Sequence, residues 1–445
     1  MAAAIDRLQS QEWRKQLGSK LVTAEEAVSH VKSGARVALT LAQSTPHVLC
    51  AALAARLMDL EGVVINHSAA LFDWNLPGIG ERFRYESCYV SPIDRAIHTR
   101  GPAEFTPVSY YRAGTLPPAI DGFDTFLMIC SPPNKEGYVS LGDAQIMTKL
   151  LAQNAKLVIA EVDERAIWTG GDNTLQVSEI DYFVERAEPV ADLTAPPVPP
   201  QEKELTNRIC ELVAHELVPD RASIQVGVGS TSGVIMPHFK DHHDLGMQTE
   251  IIPWGTTPLV RDGVITGKYK KIFPELVVGA GFAVATPREE LDYADGNPVF
   301  QLYDFNTTDD IRLIAREEGL YAINNGLAID LTGQVDAESI GPQMYTGTGG
   351  QTAFAIGAVM GGGTSITVIP SSAMRNGKRI SRITAMLPEG SVVTVPRTFV
   401  HYVVTEYGIA TLKGKSIRDR ARELIAVAHP DFREELRDAA KRLWG

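Results

Sequence analysis

Cysteine is scarce in this chain and widely scattered. Four occur in 445 residues, at Cys50, Cys88, Cys130 and Cys210, and none form a CxxC pair. That excludes a disulfide-stapled scaffold and fits free thiols in a reducing compartment. Long apolar runs are missing too. None reaches the roughly 18 residues that would span a membrane, and the opening MAAAIDRLQSQEWRKQLGSK lacks an apolar centre of signal-peptide length. A cytoplasmic protein with no membrane partner is expected. There is no excess of basic residues: 42 Lys and Arg stand against 54 Asp and Glu, mixed along the chain, for a formal charge of −12. This argues against a nucleic-acid-binding face and leaves room only for a local basic pocket. Familiar catalytic signatures are also absent. Ser371-Ser372 has no GxSxG context. Asp241-His242-His243-Asp244 offers adjacent side chains that converge poorly on one ion, with no third spaced histidine, so a solvated loop is expected and no metal site.

What is present is a regular alternation. Hydrophobic residues make up 44% of the chain, and its length suits two halves of about 200 residues, each able to bury a core. Thr23 with Glu26 predicts a capped helix running to Gly34. ARVALTLAQSTPHVLCAALAARL predicts strand, turn and a helix begun by Pro46. GVVINHSA, FDTFLMIC and KLVIAEV read as further strands, with a helix in DAQIMTKLLAQNAK. Strands alternating with helices imply an α/β fold with a mostly parallel sheet. The turn SPPNKEGYVSLG follows the strand ending at Cys130, and such carboxyl-end loops are where open α/β sheets bind ligands. The proline-rich stretch 189–201 reads as a linker. It separates an N-terminal α/β domain, 1–188, from a C-terminal one, 202–445. The second half opens on the same helix, strand, small-residue turn and helix as the first. ELVVGAGFA, SITVIP and SVVTVP predict its later strands. The last helix is expected to start near Pro430.

A few residues stand out against this frame. Glu250 lies in DLGMQTEIIPWG among Met247, Ile251, Ile252 and Trp254. A carboxylate in apolar surroundings loses hydration, which raises its pKa or sharpens it as a nucleophile. The turn Gly227-Val228-Gly229 closes a strand. It is either a plain tight turn or a place where backbone N–H groups meet an anion or oxyanion. TGTGGQTAF, from Thr346, packs three glycines into four residues, a costly choice unless backbone must approach a ligand. GGGTS at Gly361 repeats that pattern. Lys413 and Lys415 flank Gly414 and suit a phosphate or plain solvent. His401, Glu406 and His429 lie in apolar runs and suit core positions.

SPPNKEGYVSLG, KLVIAEV, DLGMQTE, INNGLAIDLTGQVDAESIG, the GTGGQ turn and VVTEYGIATLKGKSIRDRARELIAVAHPDFREEL together resemble the acetyl-CoA hydrolase/transferase family, class I coenzyme A transferases, over nearly the whole chain. The resemblance implies two similar α/β domains, each with a mostly parallel sheet flanked by helices, and an active site between them. It places the catalytic glutamate at Glu250 and the oxyanion-hole amides at Val228 and Gly350, with Gly349 as the neighbouring alternative. CoA and substrate contacts are assigned to Gly227, Gly229, Gly347, Gly349, Gln351, Trp254 and Lys413. It implies no permanently bound cofactor. A coenzyme A thioester is the substrate, small carboxylates are the other partners, and a homodimer or higher assembly is expected. The expected reaction is ping-pong CoA transfer on a short or medium acyl group. Hydrolysis in the same pocket, or acyl-CoA binding without turnover, are the alternatives. Three places depart from the family pattern. Pro253-Trp254 replaces a Ser-Asp pair after the glutamate, Ala353 an Asp, and Ile356 an Arg. These changes imply a more apolar or larger acyl group than acetate.

Overall fold

The computed structural model describes residues 7, 8, 10–109, 122–186 and 200–445. The chain divides into two compact units. One comprises Met1–Thr194 with Gly279–Thr307, the other Ala195–Val278 with Thr308–Gly445. The division near 194 falls inside the proline-rich stretch. Most of that stretch lies outside the described residues, and its last two residues, Pro200 and Gln201, already belong to a helix. The excursion Gly279–Thr307 belongs to the first unit, a grouping that domains read in simple chain order do not contain.

The first unit is built on eight parallel strands: β1 (Leu21–Val22), β2 (Arg36–Leu39), β3 (Val63–Asn66), β4 (Phe83–Ser87), β5 (Ala103–Phe105), β6 (Thr125–Cys130), β7 (Val158–Val162) and β8 (Tyr182–Glu185), in the order β1-β8-β7-β6-β2-β3-β4-β5. All six residues of β6 are buried, as expected of a strand covered on both faces. Alternate residues serve two cores. Val37, Leu39, Ile65 and Leu127 pack on one side with Leu49 and Leu53 of helix α2 (His47–Arg56) and with α1 (Ala24–Val28). Ala38, Phe126, Met128 and Ala160 pack on the other with Trp13 and with α3 (Thr148–Asn154). Helix α1 is shorter than its pattern predicts. The Thr23 hydroxyl accepts from Glu26 N as a cap should, yet the helix stops at Val28, well before Gly34. Pro46 is the residue before α2 rather than its first.

The second unit opens with α4 (Pro200–Glu216) and carries β9 (Ser223–Val226), β10 (Gly246–Gln248), β11 (Val277–Gly279), β12 (Tyr321–Asn325), β13 (Thr364–Val368), β14 (Tyr402–Thr405) and β15 (Gly408–Thr411), in the order β15-β14-β13-β12-β9-β10-β11. All pairings are parallel except the β14–β15 hairpin at the edge. The two units share a plan. Once β1 has been set at the far edge of the first sheet, each unit lays a strand in the middle (β2, β9), runs outward on one side, then returns to the middle and runs outward on the other. In the second unit the reversal lies between β9 and β12. Helices α5 (Gln351–Met360), α6 (Ile417–Val427) and α7 (Arg433–Trp444) complete it, with Pro430 in a short 3-10 turn just ahead of α7. The fold is therefore α/β with two mostly parallel sheets flanked by helices.

One predicted strand does not form. SVVTVP contributes only an isolated bridge, Val395 to Val335; its closing Pro396 and an exposed Val393 leave it without a ladder to join. The DHHD stretch is only half solvated. His243 is exposed, but His242 is buried with Nε2 3.0 Å from the Ala214 and Val218 carbonyl oxygens at the end of α4. No group of three candidate metal ligands occurs among the described residues. No described helix is long and apolar enough to cross a membrane.

Candidate active site

Strands β9, β10 and β12 end side by side at the reversal of strand order, the place where an open α/β sheet leaves a crevice. Three of the segments singled out in the sequence leave from these ends or meet them. Gly227-Val228-Gly229 follows β9 directly. Glu250 follows β10 after a single residue, Thr249, whose N–H donates to Val278 O and whose hydroxyl donates to Val226 O at 3.2 Å. Thr249 thereby anchors the residue before the carboxylate to both neighbouring strands. The third segment, TGTGGQ, comes from further along the chain and turns into α5.

Glu250 is half-buried. Its carboxylate accepts a hydrogen bond from the Gly350 N–H. Burial is the larger influence and pushes the carboxyl up to about 7, against the pull of that hydrogen bond. Gly350 is the residue just ahead of α5, a ten-residue helix, so the carboxylate also faces the positive end of a helix dipole. Gly349 before it takes φ +55, a left-handed conformation that suits glycine. A second carboxyl closes the same space. A methyl group placed on Gly350 would meet Asp309 Oδ1 at 2.2 Å and Glu250 Oε2 at 2.8 Å. Asp309 is fully buried, and its Oδ2 accepts from the Thr308 hydroxyl at 2.7 Å.

Asn325, the last residue of β12, ties the two glycine turns together. Its side-chain oxygen accepts from Thr231 N and Ser232 N, both at 3.2 Å, and its amide nitrogen donates to the Ser232 hydroxyl. Its own carbonyl accepts from Gln351 Nε2 at 2.9 Å. Gly229 is required here for space: a Cβ would sit 1.9 Å from Asn325 Nδ2. The chain then enters two short 3-10 turns, Ser232–Val234 and Met236–Phe239, and not the α-helix its pattern suggests. The Val228 N–H has no acceptor among the described residues. On the other side, buried Glu338 of the VDAESIG stretch accepts from the Thr348 hydroxyl at 2.8 Å, and its backbone carbonyl takes Tyr345 N and Thr346 N. That stretch is the brace of the GTGGQ turn.

The structure thus gathers Gly227, Val228, Gly229, Glu250, Gly347, Gly349, Gly350 and Gln351 at one end of one sheet. Trp254 follows four residues after Glu250, half-buried, beyond the fully buried Ile252. Lys413 is apart from them. It is exposed, in the turn after β15, where its N–H reaches His401 O at 3.3 Å. Ala353 points into a core with Ile314, Leu320, Ala322 and Phe354. The second glycine cluster is packing: a Cβ on Gly361 would lie 2.6 Å from Ala315 O, and one on Gly363 2.2 Å from Leu320 O. His401 and His429 are buried, and Glu406 binds Ser371 through both its hydroxyl and its N–H. Sequence reasoning missed Asn325, Glu338 and Asp309. For Asn325 a signal existed, since a polar Asn-Asn pair at the end of an apolar strand needs partners.

Family models for the acetyl-CoA hydrolase/transferase N-terminal and C-terminal domains match residues 5–194 and 287–440. The 4-hydroxybutyrate coenzyme A transferase of Clostridium kluyveri is 36% identical over 435 residues, covering 97% of this chain and 99% of its own. The succinyl-CoA:cyclohexane-1-carboxylate CoA transferase of Geobacter metallireducens is 32% identical over 432 residues, covering 97% of each. Among solved structures, RipA from Yersinia pestis superposes with a TM-score of 0.88 at 31% identity, covering 97% of this chain and 99% of that one. A 4-hydroxybutyrate CoA-transferase from Porphyromonas gingivalis gives 0.78 at 29% identity, covering 97% and 100%.

Proposed function

The chain belongs to the acetyl-CoA hydrolase/transferase family, and from that premise we propose that it is an acyl-CoA:carboxylate CoA-transferase acting through Glu250. The observation that carries the reading is the setting of this one carboxylate: at the crevice of the second sheet, short of hydration, with a backbone N–H already on its oxygen. A carboxylate that burial has made more basic is a better nucleophile toward a thioester carbonyl.

The reaction balances without a proton or a metal. A Glu250 oxygen attacks the thioester carbonyl, a C–O bond forms, the C–S bond breaks, and CoA leaves as the thiolate. The product is a mixed anhydride. The thiolate then attacks the glutamyl carbonyl, giving a Glu250–CoA thioester and releasing the donor carboxylate. An acceptor carboxylate reverses the two steps. When thiolate adds to the glutamyl carbonyl, negative charge develops on the glutamyl oxygen itself. The Gly350 N–H, bonded to the carboxylate in the resting site, is then an oxyanion donor. The unpaired Val228 N–H supplies the second donor, for the acyl carbonyl. Such donors are worth ~3–4 kcal/mol each in acyl transfer.

The anhydride must be kept from water. Buried Ile252 and half-buried Trp254 supply an apolar wall. Pro253-Trp254 stands beside the nucleophile, and Ile356 is partly buried on α5. These favour a short or medium carboxylate with an apolar body, of the butyrate or 4-hydroxybutyrate kind, over acetate. Ala353 contributes less to this choice than its neighbours, since it faces the core. The two glycine turns are assigned to the CoA arm.

The test is direct. Incubation with an acyl-CoA and no acceptor should add the mass of CoA, less water, to the Glu250 peptide, and added butyrate should discharge it. Absence of the adduct from Glu250 would sink the covalent reading. CoA release that ignores added carboxylate would assign the pocket to hydrolysis.

A further inference from the structure

Two carboxyl groups flank Gly350. The point where its Cβ would stand is 2.2 Å from Asp309 Oδ1 and 2.8 Å from Glu250 Oε2. The two oxygens therefore lie within about 5 Å of each other, by the sum of those distances, a range at which like charges resist ionising together. Glycine is the residue that leaves this space open. Asp309 is fully buried, so water does little to screen it. Its other oxygen accepts from Thr308 Oγ1 at 2.7 Å. The proposed role of Glu250 accounts for one of the two carboxylates and leaves the other unexplained.

We propose that Asp309 is a positioning residue for acyl transfer: its negative charge crowds the Glu250 carboxylate across Gly350 and drives Glu250 to pass its own charge to the departing CoA thiolate. The inference rests on Glu250 being the acylated residue. Its chemistry follows from charge balance. Free Glu250 is an anion, while the anhydride and the thioester are neutral at that position, so either covalent form relieves the repulsion. Repulsion present in the ground state and lost along the reaction lowers the barrier. The other charges near the site sit differently. The amino end of α5 faces Glu250 from Gly350. Lys270 is bonded behind β10 to Met247 O and Leu276 O, with Glu317 as its charged neighbour. Glu338 is engaged by Thr348. Of these groups, Asp309 and Glu250 are the two that meet at Gly350.

The test is single-turnover formation of the Glu250–CoA adduct between pH 5 and 9 in the wild type, Asp309→Asn and Thr308→Val. Removing the Asp309 charge should move the acid-limb midpoint down by about one pH unit and slow the plateau about tenfold. Thr308→Val, which removes the hydrogen bond to Asp309 and keeps the carboxyl, should move both the same way by less. An Asp309→Asn enzyme that is folded by circular dichroism yet keeps its midpoint overturns the proposal, even if its plateau falls, because a purely structural loss does not shift a titration. A wild type that forms no adduct at Glu250 overturns the nucleophile assignment itself, and this inference with it.

Discussion

One methyl group is enough to test the geometry around the proposed nucleophile. Gly350→Ala places a carbon 2.2 Å from Asp309 Oδ1 and 2.8 Å from Glu250 Oε2, so both carboxylates must move. A displacement on the order of 1 Å at a reacting group costs about 10²-fold in rate, and that loss of kcat is the expected outcome. An alanine enzyme with near-normal kcat would mean that Gly350 is not beside the chemistry. Glu250 itself predicts a pH effect on stability. Its carboxyl is raised from 4.5 to about 7 by burial. Between those values the folded chain holds a proton that the unfolded chain has released. Folding stability therefore falls as pH rises through that window, and the cost, on the order of 1–3 kcal/mol, is fully present above it. Glu250→Gln removes the cost. It should melt higher than the wild type at pH 8 and lose most of that advantage by pH 5. Equal gains at both values would argue against a raised carboxyl. A carboxylate that destabilises its own fold is the trade expected of the role proposed for Glu250.

At the scale of elements, the site depends on how strand ends are tied. Asn325 holds Thr231 N and Ser232 N with its side chain and Gln351 with its carbonyl. Asn325→Ala removes the side-chain ties and leaves the carbonyl in place. The GVG turn should loosen while α5 stays, with a kcat loss of about 10–100-fold and an unfolding penalty of about 1–3 kcal/mol for the orphaned N–H groups. A loss of stability without a loss of kcat would show that the turn does not serve the reaction. This is also where sequence reading reached its limit. Glu250 could be found from its apolar flanks, because desolvation is written in near neighbours. The glycine turns could be found because clustered glycine is costly anywhere. Their reasons were less legible. Gly229 is required by Asn325, nearly a hundred residues away, and Gly361 and Gly363 by the backbone at Ala315 and Leu320. Asp309 meets Glu250 only through tertiary packing, and no local pattern in FNTTDDI signals it. SVVTVP has strand-forming composition, but a strand needs a neighbour to pair with, and its own sequence holds no information about that neighbour.

For the molecule as a whole, the alternation of strands and helices was enough to predict two parallel α/β sheets, since local periodicity reports burial on both faces. The excursion Gly279–Thr307 was not legible, because it follows a strand of the second unit and contributes its contacts to the first. Part of its backbone is committed there. Gln301 and Leu302 pair in parallel with Gly170 and Gly171, Phe282 N donates to Asp143 O, and Gln43 reaches Phe282 O at 2.7 Å. Phe282, Phe300 and Leu302 are buried. A fragment beginning at Pro200 would carry this segment without the strands and loops that receive it. It would expose three large apolar side chains and leave a run of backbone groups unpaired, each of which is costly. Expressed alone, residues 200–445 should therefore be aggregation-prone, bind a hydrophobic dye and lack near-ultraviolet dichroism, although the fragment contains Glu250, both glycine turns and their braces. Co-expression with residues 1–199 should restore a soluble complex that forms the Glu250–CoA adduct. A fragment 200–445 that unfolds cooperatively on its own would show that the excursion is dispensable to the second unit, and that a division of the chain at the proline-rich stretch is a sufficient account of its folding.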